Sequence, residues 1–133
     1  CGLHHIANIG FHGAALKGGD GQQAPAYELF LGGNYGSNRV EDSRVGTRIP
    51  RVKIPAKAAP GVLKTIVTYY KDNRQGEETF NQFLDRVGLE ELTGVAEKAE
   101  KSAQEAAPNS DLYIDWERTN IYKLERGEGE CAV

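Results

Sequence analysis

The stretch Phe80-Asn81-Gln82-Phe83-Leu84-Asp85-Arg86-Val87-Gly88 decides how the chain folds. Phe80, Phe83, Leu84 and Val87 recur at i, i+3, i+4 and i+7, which lays four apolar side chains along one stripe of a helix. Gly88 stands where a helix C-terminus favours a residue without a Cβ. The pattern predicts an amphipathic helix over 77–87, and its stripe needs a surface to pack on.

Helical spacing continues on both sides. Downstream, Leu92, Val95, Ala96, Ala99 and Ala103 share one face of a helix expected over 90–104. Upstream, Pro60 suits a first helical turn. Val62, Ile66, Val67 and Tyr70 then mark a helix over 61–72 that stops at Asn73–Gly76.

Before residue 60 the signals are those of strands. Short strands are expected over 6–11 and 26–31, paired as an antiparallel hairpin across a long glycine-rich loop, residues 12–25. Gly32 and Gly33 break the second. Val45, Ile49, Val52 and Ile54 lie among charges and between Pro50 and Pro55, so 48–54 reads as an irregular edge strand. Leu112–Trp116 reads as a short strand, Tyr122–Leu124 as another, and Gly127–Val133 as a loose tail. The fold class is α+β: a small antiparallel sheet packed with helices, in three segments, 1–60, 61–105 and 106–133.

Composition sets outer limits. Of 133 residues, 39% are hydrophobic and 26% charged, ordinary for a soluble globular chain. A net charge of -3 argues against a nucleic-acid binder. No stretch approaches the ~18 apolar residues of a membrane span, and no secretory leader is recognisable, so a cytoplasmic protein with no membrane partner is expected. The chain starts at Cys1 and contains no Met, which reads as a piece cut from a longer polypeptide. Its two cysteines, Cys1 and Cys131, allow a disulfide, although nothing marks an oxidising compartment. Two thiols cannot complete an iron–sulfur cluster, which ordinarily takes four.

Several patterns bear on chemistry. The glycine loop lacks both the Gly-Lys-Ser/Thr close of a P-loop and a G-x-G-x-x-G, so it reads as a mobile hairpin loop. His4, His5 and His12 lack the closely paired partners of a structural zinc site. In an extended stretch His4 and His5 would point to opposite faces, and one of them lying beside a cofactor fits better than a metal site. Residues 39–57 carry a balance of +4. Without interleaved aromatics this is either a solvated surface or a counter-charge for an anionic cofactor or acidic partner. The stretch from Glu77 to Glu130 carries -8, read as solvated helix faces. No Ser/His/Asp arrangement stands out, and Asp85, Glu90 and Glu91 fall on helix surfaces.

Four stretches carry a family resemblance. Cys1-Gly2-Leu3-His4-His5-Ile6-Ala7-Asn8-Ile9-Gly10-Phe11-His12-Gly13 resembles the segment that starts at the last cluster cysteine of siroheme nitrite and sulfite reductases. Tyr27-Glu28-Leu29-Phe30-Leu31-Gly32-Gly33-Asn34 is similar to that family's next strand and Leu-Gly-Gly turn. Gly46-Thr47-Arg48-Ile49-Pro50-Arg51 resembles a run in its sulfite-reducing members, and Phe80–Gly88 resembles a helical segment with Phe-x-x-Phe-x-x-Arg-x-Gly. The blocks occur in family order over residues 1 to about 100.

The resemblance implies a six-electron reduction of sulfite to sulfide or nitrite to ammonia. Electrons would come from ferredoxin or a flavoprotein reductase and pass through a 4Fe-4S cluster to siroheme. By motif position Cys1 would be the thiolate shared by cluster and siroheme iron, the only metal ligand in the chain. Gly2, lacking a side chain, would allow close approach of a large flat cofactor. Residues 1–60 would end the siroheme and 4Fe-4S domain and 61–105 would form its helical carboxy-terminal segment. The other three cluster cysteines and the cations that hold the substrate anion in the family would come from the upstream part of the same polypeptide. No catalytic residue is therefore expected in the chain, and it should be inactive alone. The alternative is a redox-inactive structural or docking module of the same fold. The sequence leaves sulfite against nitrite open, with Gly46–Arg51 leaning to sulfite.

Overall fold

The computed structural model describes residues 2–18, 21–106 and 111–124. Three antiparallel strands, β1 (Ile9–Lys17), β2 (Gln23–Leu31) and β3 (Thr47–Pro55), form one sheet with β2 in the middle. Three helices follow: α1 (Ala59–Asn73), α2 (Phe80–Val87) and α3 (Leu89–Ala106). The α+β architecture is the one the sequence predicts.

One core joins the layers. Leu29, Leu31, Ile49, Val52 and Ile54 from the sheet meet Val62 and Ile66 of α1, Phe83 and Leu84 of α2, and Leu92 and Ala96 of α3, all buried. Phe83 is fully enclosed and packs edge-to-face on Tyr69 and Tyr70, ring centroids 6.1 and 5.4 Å away. On α1 the core positions are Val62, Ile66, Tyr69 and Tyr70, whereas Val67 stays exposed.

The ends of α2 follow capping chemistry. Thr79 accepts from the Gln82 amide while the Gln82 side chain accepts from the Thr79 amide, a reciprocal capping box. The helix therefore starts at Phe80, the first residue of the stripe, three residues later than the expected start at Glu77. Gly88 closes it at φ 90°, in the region that favours glycine.

The hairpin is longer than its sequence indicates. Residues 12–17 and 23–25, read as loop, are ladder, and the register runs unbroken from Ile9↔Leu31 to Lys17↔Gln23. Pro25 fits because Gly18 donates to the Gln22 carbonyl. Alternation from that pair makes Ala15↔Pro25 a pair without ladder bonds on the β1 side. On the other side pairing with β3 starts only at Ala26↔Pro55.

Strand β3 is an irregular edge, as read. Its register steps from Glu28↔Lys53 to Phe30↔Arg48, and Arg51 occupies the bulge at φ 64°. Leu112–Trp116 is not a strand. Asp111–Tyr113 is a 3-10 turn, and a single bridge, Ile114↔Ile121, replaces the two strands expected there. That segment is fixed by side chains: Trp116 Nε1 donates to the Ala56 carbonyl at 3.2 Å and Lys57 Nζ to Asp111 at 3.0 Å. The tail read as loose lies outside the described residues.

Candidate functional site

The residues after Cys1 are tied down by backbone chemistry. Leu3–His5 form a 3-10 turn, with the His5 amide donating to the Gly2 carbonyl at 3.0 Å and the Ile6 amide to Leu3 at 3.2 Å. The turn rests on the sheet: Gly46 donates to the His5 carbonyl at 2.7 Å and Gly32 to the Asn8 carbonyl at 2.9 Å. The Gly33 carbonyl accepts from Asn8 Nδ2 at 2.9 Å and from Asn81 Nδ2 at 3.1 Å.

Two glycines make this contact possible. A Cβ on Gly10 would strike the His4 carbonyl, and one on Gly33 would strike the His5 carbonyl and lie 2.6 Å from that of Ala7. Backbone meets backbone here, so no side chain can swing aside to make room. Residues from all four stretches of the family resemblance, Gly10, Gly33, Gly46 and Asn81 among them, thus converge under one turn.

Arg44 braces the same place. Its Nε donates to the Gly32 carbonyl at 2.6 Å, and its Nη1 reaches both oxygens of Asp85 at 2.9 Å. The pair joins the β2–β3 connection to α2, beside a polar hollow of about 670 Å³ that Asn8, Asn34, Arg44, Asn81 and Asp85 help to line. These contacts were not legible in the sequence because the partners lie 12 to 48 residues apart in it.

His4 and His5 do not point to opposite faces. The 3-10 turn, in place of an extended strand, brings their ring centroids to 4.1 Å. His12 of β1 comes within 4.6 Å of His4, and Phe30 of β2 sits 4.6 Å from His4 and 4.8 Å from His5. His12 Nδ1 lies 3.7 Å from Glu28, which also accepts from Arg48 at 2.9 Å. Loss of hydration, reinforced by the neighbouring His5 and His12, holds His4 below the ordinary histidine range, with Glu28 opposing. His5 Nδ1 is buried and meets no hydrogen-bond partner among the described residues.

Charge in the 39–57 segment is largely met within the chain. Arg39 faces Glu41 and Asp42, Arg44 faces Asp85, Arg48 faces Glu28, Arg51 faces Glu90 and Glu97, and Lys57 faces Asp111.

Of the residues implied for cofactor binding, Gly2 is exposed, with open space where a Cβ would stand. Cys1 lies outside the described residues, as does Cys131. Among the described residues no group of three or more His, Cys, Asp or Glu side chains is placed to hold a metal. None of their helices is long and apolar enough to cross a membrane.

Residues 1–103 match the family of the nitrite and sulphite reductase 4Fe-4S domain. Sulfite reductase (ferredoxin) 1 of Mycolicibacterium paratuberculosis (strain ATCC BAA-968 / K-10) is 28% identical over 92 residues, covering 69% of this chain and 16% of that protein. The structure of the NirA protein of Mycobacterium tuberculosis superposes with a TM-score of 0.57 at 24% identity, over 67% of this chain and 16% of that one. At that identity the superposition speaks to the fold alone. This chain spans 16% of the length of each of these two relatives.

Proposed function

The chain belongs to the nitrite and sulphite reductase 4Fe-4S domain family, and on that premise we propose that it is the carboxy-terminal piece of an enzyme that reduces sulfite to sulfide or nitrite to ammonia by six electrons. The observation that carries this reading is the convergence of the four family-like stretches beneath the turn at Gly2–Ile6. Residues far apart in sequence there hold the backbone that follows Cys1.

Cys1 is assigned as the thiolate ligand, and Gly2 as the residue that leaves room beside it. Thiolate is the soft donor that iron–sulfur chemistry takes. The donor set fits one corner of a cluster and not a whole one, since the sequence has two cysteines where four are ordinarily needed. The remaining thiolates, most contacts to siroheme and the cations that bind the substrate anion are assigned to the upstream part of the same polypeptide. No reaction step is therefore derived within this chain. Its residues position a ligand. The rest of the reading is ferredoxin as donor and sulfite as substrate, in the cytoplasm. The name of the mycobacterial relative supports donor and substrate. Within this assignment residues 1–60 end the cofactor domain and 61–105 form its helical brace.

Reconstitution tests the assignment of the missing ligands. The chain incubated anaerobically with iron, sulfide and siroheme should show no absorbance of a coupled siroheme–cluster centre. A stable coupled spectrum from this chain alone would contradict it.

A further inference from the structure

We propose that His4, His5 and His12 are positioning residues, clamping the turn behind Cys1 onto the sheet while their imidazoles are neutral and releasing it when the cluster takes up a second proton. The proposal borrows the role of Cys1 only for its functional consequence. The clamp itself rests on geometry.

Two elements supply the three rings, the 3-10 turn and β1, and Phe30 of β2 forms the floor. Neutral imidazoles pack on one another at tilts of 42° and 43°, and His4 and His5 meet Phe30 at 58° and 76°, as tilted and edge-on aromatic rings do. Charged, they repel at centroid separations of 4.1 and 4.6 Å. Around them, among the described residues, β2 presents Glu28 and β3 presents Arg48 and Lys53, the latter a backbone partner of Glu28. Glu28 is the single carboxylate of this group and is already engaged by Arg48, so one imidazolium finds a counter-charge and a second finds none.

The sign follows from linkage. Unfolded, the three histidines protonate near the ordinary histidine pKa of about 6.5. Seated, His4 is held below that range, so the seated turn binds fewer protons than the released one. Its stability is present above that range and is lost as pH falls through it. Because Cys1 lies three residues ahead of His4, the protonation state of the cluster sets how firmly the thiolate is presented.

Amide exchange in the full chain reads the clamp directly. The Gly46 amide is protected by the His5 carbonyl, and the Gly88 amide, bonded to the Leu84 carbonyl at the C-terminal end of α2, serves as a reference outside the histidine cluster. After correction for intrinsic exchange, protection of Gly46 should fall about tenfold or more between about pH 7.5 and 5.5, while Gly88 stays within about twofold. His4→Phe keeps a ring against Phe30 that cannot take a proton, and it should hold Gly46 protected throughout. Should that variant misfold, His12→Gln, at the exposed end of the cluster, should cut the fall to about threefold or less. A flat Gly46 response in the native chain, or a tenfold fall that survives these variants, would overturn the clamp. Cys1→Ser should leave the exchange response as it is in the native chain, so failure of the ligand assignment and failure of the clamp give different results.

Discussion

Phe83 and Gly33 represent two kinds of residue on which the molecule depends. Phe83 was legible in the sequence: the 3.6-residue period placed it on the buried stripe, and it is fully enclosed beneath Tyr69 and Tyr70. Phe83→Ala should cost about 3–5 kcal/mol in chemical unfolding, as truncation of an enclosed aromatic does; a change under about 1 kcal/mol would show that the stripe is not core. Gly33 was legible only as a break after a strand. That its carbonyl receives two asparagine side chains, and that the backbone of residues 5–7 leaves no room for its Cβ, depends on segments brought together by the fold. His4 and His5 lie otherwise than in an extended stretch, for a local reason. Two adjacent residues face apart in a strand but not in a 3-10 turn, and Leu3–His5 is such a turn.

Among the elements, helices were read more closely than strands because their stabilising pattern is local. α2 begins three residues after the expected start because Thr79 and Gln82 form a reciprocal cap, a Thr-x-x-Gln spacing that is present in the sequence but leaves no mark on the apolar period. Thr79→Ala should lower stability by about 1 kcal/mol in a denaturant titration. An unchanged midpoint would mean that the cap is not holding the helix. Immediately before that cap, Glu78 is held below the ordinary carboxylate range by its bond to Arg86 at 2.7 Å and by the Gln75 amide. β1 outran its sequence signal because Gly13, Ala14 and Ala15 have weak strand preference of their own and are extended by pairing with β2. Leu112–Trp116 has the alternation of a strand but opens in the 3-10 turn Asp111–Tyr113, because apolar alternation alone cannot register a tie such as Trp116 to Ala56.

For the whole molecule, the architecture places a three-helix layer behind the sheet and leaves the turn after Cys1 on the sheet with its backbone held at Gly32, Gly33 and Gly46. The fold was legible because a helical stripe of this strength demands a partner layer. The site was legible only as four stretches resembling one family, and their meeting beneath one turn is a tertiary fact. On the proposed function, this chain, which spans 16% of the length of the two mycobacterial relatives, supplies a support rather than a reaction chamber.

The central claim is that Cys1 bridges two metal centres, and the most direct test is serine replacement in the intact parent enzyme. Serine offers a harder oxygen donor that bridges poorly in iron–sulfur chemistry. Cys1→Ser should therefore strip or sharply lower bound iron and siroheme absorbance and abolish sulfite or nitrite turnover, while Cys131→Ser leaves both near native levels. If Cys1 is instead a small apolar packing residue, its replacement costs a little stability and nothing else. A Cys1→Ser enzyme that is fully loaded and active would contradict the account.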